Sequence, residues 1–86
     1  MKQTTTYSLI IETIPTPYNG DESIEQSQPI QRFDDAITSF GPFHVGDTLQ
    51  ETGIYLGRIE HIHHAISQSG KDTVRQETTL FLYKKA

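Results

Sequence analysis

The chain has 86 residues, 34% of them hydrophobic, with a formal net charge of −4 and no cysteine. That length holds one small domain spanning 1–86 and excludes a second folded unit, while the lack of cysteine excludes a disulfide scaffold. No apolar run approaches the roughly 20 residues of a membrane span, and the acidic balance argues against a nucleic-acid binder, because phosphate rewards clustered Lys and Arg.

No charged stretch followed by an apolar one stands at the N-terminus, so a soluble, cytoplasmic protein is the expectation. The charge is unevenly spread. Residues 12 to 51 carry Glu12, Asp21, Glu22, Glu25, Asp34, Asp35, Asp47 and Glu51 against Arg32 alone, whereas Arg58, Lys71, Arg75, Lys84 and Lys85 lie in the second half. A core this small rarely supplies more than about 3 to 5 kcal/mol, so reinforcement by a metal or an oligomer is expected.

In chain order, "TTYSLIIETIP" is rich in β-branched and aromatic residues and stops at Pro15, which predicts a first strand over Thr5 to Ile14. The following "PTPYNGDESIEQSQ" has two prolines, an Asn-Gly turn and no sustained period, and predicts a mobile loop at 15–28. Next, Ile30, Phe33, Ile37 and Phe40 recur at spacings of three and four. With Pro29 in front and Gly41-Pro42 behind, they predict a helix with Asp34 and Asp35 on its solvent side.

From Phe43 the period falls to two. "FHVGDTL" predicts a short strand broken at Gly46-Asp47, Ile54 to Ser67 a long strand, Ser69 to Lys71 a tight turn, and Asp72 or Thr73 to Lys84 the last strand. The resulting expectation is an α+β domain of order β-α-β-β-β, one helix packed on a mainly antiparallel sheet of about four strands. The alternative is an SH3-like, partly open β-barrel with a helical insert.

Three of the four histidines fall in "RIEHIHHAIS". Strand alternation sends Ile62, His64 and Ile66 to one face and Ile59, His61 and His63 to the other, with a bulge natural at Gly57. A three-residue turn sets Ile66 opposite Val74, Ile62 opposite Thr78 and Arg58 opposite Leu82, collecting a core face. On the other face His63 meets Glu77, His61 meets Thr79, Ile59 meets Phe81 and Gly57 meets Tyr83.

Two functions follow. The first is a small non-enzymatic protein-interaction module, a regulator, assembly component or inhibitor, that self-associates as a homodimer or binds another protein through Ile59, His61, His63, Phe81 and Tyr83. One helix cannot cover both faces of a sheet, which leaves that face for a partner. The second is a divalent-metal protein using His61, His63 and Glu77, and possibly His44, since two histidines and a carboxylate suit a transition metal. No phosphate loop, nucleophile elbow or HExxH pattern is present, so neither an enzyme nor an organic cofactor is expected.

Overall fold

The computed structural model describes residues 4–68 and 70–85. Its elements are β1 (Thr4–Thr13), α1 (Asp21–Glu25), β2 (Gln28–Ala36), β3 (Thr48–Glu51), β4 (Ile54–Gln68) and β5 (Thr73–Tyr83). The strands form one five-stranded sheet of order β2-β1-β5-β4-β3, curled into a half-barrel; 60% of the described residues are in strands and 6% in the helix. The β1–β5 pairing at its centre is parallel and the other pairings are antiparallel.

This overturns the α+β expectation. Residues 29–40 hold no helix; they supply β2 and a following loop, so the helical insert of the barrel alternative is absent too. Of the four apolar residues only Ile30 and Phe33 lie in β2; Ile37 and Phe40 lie in the loop after it, so the three-and-four spacing runs across the end of a strand whose period of two is interrupted. Between the pairs Leu9↔Phe33 and Tyr7↔Ala36 an extra residue enters β2, and Asp35 takes a φ of 57° there; a second irregularity lies beside Ile30. The expected stripe is not buried: Phe33 is 40% and Ile37 84% exposed.

Pro29 fits the strand for a backbone reason. Thr4 N–H donates to Asp72 O and Ile14 N–H to Leu82 O, so alternate residues of β1, Glu12 included, direct their amides at β5. Pro29 opposes Glu12 and therefore faces the outer edge, where its missing N–H breaks no ladder bond.

One face of the sheet carries the main core: Leu9, Ile11, Ile59, Leu80 and Leu82, with Phe40, Phe43, Leu49, Leu56 and Ile62 packed against them. Phe40 and Phe43 belong to the loop after β2, and Leu49 and Leu56 to the β3–β4 hairpin. The opposite face buries Ser8 and Phe81, and buried Ser23 lies in the segment that contains α1.

The β4–β5 hairpin has the expected strands and, from His61 to Gln68, the expected faces, with a register two residues away from that expected. Gln68 faces Val74, His64 faces Thr78, His63 faces Thr79 and Ala65 faces Glu77. A shift of two keeps every side chain on its face, so Ile62 and Ile66 still share one side with Val74, Leu80 and Leu82. Ser69, in the expected turn, lies outside the described residues.

Two ladder irregularities flank Gly57, one at Leu56 against β3 and one at Glu60 against β5. Gly57 itself has φ 141°, and a Cβ there would stand 3.1 Å from Tyr83 O. The Glu60 bulge rotates the preceding residues by half a period, and this moves Ile59 into the main core at 0% exposure.

Candidate functional site

The residues singled out from the sequence are only partly brought together. His61, His63 and Phe81 share one face. His61 is half-buried, its ring 5.8 Å from that of Phe81. His63 is exposed and faces Thr79. Ile59 lies on the other side. Tyr83 opposes Arg58 and, with Tyr55 and Lys85, lines a shallow depression at one end of the sheet. Phe81 is only 5% exposed.

Part of this face is covered by the chain itself. The segment between β1 and β2 folds back so that Tyr18 stacks on His61, and the Tyr18 N–H donates to Glu60 Oε1 at 3.2 Å. Ser23 anchors the turn before α1: its hydroxyl accepts from Asn19 N–H at 3.1 Å and donates to Asn19 Oδ1. Ser27 donates to Glu12 Oε1 at 2.8 Å, tying the far end of the segment to β1. Glu60 also receives Arg58, at 2.9 Å, so the bulge carboxylate is charge-compensated.

Glu77 stands apart from the histidines. It opposes Ala65 and is engaged by Arg32 at 3.2 Å and Arg75 at 3.8 Å. The same two arginines hold Asp34, at 2.9 and 2.8 Å, and Arg75 donates to Ser8 Oγ at 3.2 Å. The hydrogen bond from Arg32 is the largest influence on Asp34 and holds its carboxyl below the usual carboxylate range. This two-arginine, two-carboxylate cluster fastens edge strand β2 across β1 to β5. Among the described residues, no three His, Cys, Asp or Glu side chains are grouped to hold a metal ion. His44 lies in the loop before β3, 3.6 Å from Asp47.

The sequence did not point to the sheet's edges. β4 is fifteen residues long, but β3 pairs only with its first part, from Ile54 to Arg58, and Gly46 and Asp47 extend the contact to Ile59. Among the described residues, none pairs with the outer side of His61 to Gln68. Ile59 exchanges bonds with Gly46 and Asp47 and therefore directs its amide away from β5. The bulge resets the alternation, and Ile62, His64, Ile66 and Gln68, opposite β5 residues whose amides serve β1, present their N–H and C=O groups outward. Their side chains lie on the main-core face, where Ile66 is 72% exposed.

The sheet's other free edges are guarded. β2 carries Pro29, Arg32, Asp34 and Asp35 and two irregularities. β3 is four residues long, irregular at Leu49/Gln50, and ends in Thr52 and Gly53 at positive φ. Charge, proline, bulges and shortness all oppose the addition of a further strand. The run "HIHHAISQ" from His61 to Gln68 has no Asp, Glu, Lys, Arg or Pro; the lack of guards was readable there, although the missing neighbour was not.

Comparison with protein-family models, with curated proteins and with solved structures returned no match to the chain. Among the described residues, no helix is long and apolar enough to cross a membrane.

Proposed function

We propose that this protein is a non-enzymatic interaction module that takes up a β-strand from a protein partner along the His61–Gln68 edge of β4. One observation carries the proposal: the long free edge lacks each device that guards β2 and β3. Strand addition draws affinity from main-chain hydrogen bonds and specificity from alternate side chains. Here the outward amides of Ile62, His64, Ile66 and Gln68 supply the first. The aliphatic side chains of Ile62 and Ile66 supply a contact surface on one face, and His61 and His63 on the other.

Photocrosslinking tests it. The chain with a benzophenone amino acid at Gln68, incubated in an extract of its source cells, is expected to crosslink to protein, and Ile66→Pro, which removes an outward N–H, is expected to abolish the product. No protein adduct from Gln68, together with equally fast exchange of the Ile62, His64 and Ile66 amides alone and in extract, would overturn the proposal.

A further inference from the structure

We propose that the strand received by the β4 edge is β4 of a second copy of this chain, paired antiparallel about a twofold axis at His64. The inference rests on the strand-addition function proposed above and names its partner.

The edge is self-complementary in several respects. With His64 opposite its counterpart, Ile62 lies opposite Ile66 of the second copy, and Ile66 opposite its Ile62. Exposed Ile66 of each copy is thus covered by half-buried Ile62 of the other on the main-core face. Centring the axis on Ala65 sets Ile66 against His64 instead, and centring it on Ile66 sets His64 against Gln68. The Ile66 axis pairs Ile66 with its counterpart but carries Ile62 past the end of β4 at Gln68; only the His64 axis sets both isoleucines of each copy against an isoleucine.

Charge permits the same approach. The chain carries a net −4, but His61 to Gln68 holds no acid or permanent base. Glu60, at the end of the run, is already paired with Arg58 at 2.9 Å. Two copies therefore meet along a stretch without acid or permanent base. The ladder ends with Glu60 beside Gln68 of the second copy.

The backbone geometry fits an axis at His64. Its N–H and C=O both face outward, so each copy donates to the other at the axis itself, and the Ile62 and Ile66 amides extend the ladder on either side. The His64 ring leans inward, Nδ1 lying 3.1 Å from Thr78 Oγ1 of β5, and leaves the edge clear. Pairing joins two five-stranded sheets into one continuous sheet and consumes the unguarded edge of both, which is how a twofold interface closes.

Purified protein tests this directly. Sedimentation velocity from low to high micromolar concentration is expected to show a monomer–dimer equilibrium. His64→Pro removes both axial hydrogen bonds at once and should weaken it by at least about tenfold while the thermal melt of the monomer is kept. Because the chain contains no cysteine, single cysteines then read the register. Under mild oxidation His64→Cys should form a disulfide dimer faster than Ile62→Cys, Ile66→Cys or Gln68→Cys, whereas an equal mixture of Ile62→Cys and Ile66→Cys should form the mixed dimer. A monomer at all concentrations, or a dimer untouched by folded His64→Pro with cysteine rates not peaking at position 64, would overturn the inference. A monomer that still crosslinks from Gln68 to a foreign protein overturns the self-pairing alone; the loss of every Gln68 adduct, with the Ile62, His64 and Ile66 amides exchanging equally fast alone and in extract, overturns strand addition as well.

Discussion

Tyr18 lies flat on His61, their ring centroids 4.5 Å apart and their planes 8° from parallel. This contact holds the segment between β1 and β2 over the Phe81 side of the sheet, and the Tyr18 N–H bond to Glu60 secures it at the bulge. Tyr18→Ala is expected to cost about 1 to 2 kcal/mol, from lost stacking and partial uncovering of Phe81. Tyr18→Phe should be near neutral. Urea denaturation of the two variants checks this, and amide exchange in residues 15–25 should quicken only in the alanine variant.

Which isoleucines matter follows from the Glu60 bulge. Ile59→Ala opens a hole beneath Leu80 and Leu82 and should cost about 2 to 5 kcal/mol. Ile37→Ala, at an 84% exposed position, should stay within about 0.5 kcal/mol of the parent. Equal melting temperatures for these two variants would contradict the placement of both residues.

Gly57→Ala tests the close approach of β4 to β5. The residue would have to keep φ 141° with its Cβ 3.1 Å from Tyr83 O, and a cost of about 1 to 3 kcal/mol is expected from backbone strain. Gly20→Ala has open space around it and should cost less. Thermal unfolding of the pair separates steric strain from conformational entropy.

The Asp34 cluster predicts a pH dependence. The carboxyl is held below its ordinary value of 3.8, chiefly by the hydrogen bond from Arg32. A carboxyl lowered by folding contributes stability that is present above the unfolded value and is lost as pH falls through the folded one. The urea midpoint should therefore fall more steeply below about pH 4 in wild type than in Asp34→Asn. Both groups are solvent-exposed, so added salt should narrow the difference.

Local pattern made much of the sheet legible. β1 was expected at Thr5 to Ile14 and lies at Thr4–Thr13; the β4–β5 hairpin was expected from Ile54 and lies at Ile54–Gln68 and Thr73–Tyr83. Alternating or β-branched runs identify such strands because side chains repeat every two residues. β2 was missed because Ile30 and Phe33 in the strand and Ile37 and Phe40 in the loop after it fall at helical spacing, and an exposed edge strand has no continuous buried face to correct the impression. The parallel contact of β1 with β5 was also missed, since no turn or short loop advertises a pairing between distant segments.

The candidate site was legible in part. His61, His63 and Phe81 share a face as alternation required, but Ile59 changed sides at the Glu60 bulge, three residues from the glycine that drew attention. Glu77 was assigned to His63 by a turn two residues too short, and it binds arginines instead. The open edge was hidden for another reason. Whether a strand has a neighbour depends on where β3 stops, and composition within β4 does not report that.

The central pairing of Thr4 through Thr13 with Thr73 through Leu82 joins residues about seventy positions apart and so bears on when the protein can fold. Contacts this distant in sequence carry a large loop-closure cost and slow the formation of a native sheet. During synthesis β1 and β2 can form a hairpin early, but Leu9 and Ile11 stay uncovered and one side of β1 stays open until β5 leaves the ribosome. The nascent chain thus passes through a period with an apolar, strand-receptive surface exposed, and protection by chaperones in that interval would act on β1, a strand that the finished fold keeps between two neighbours.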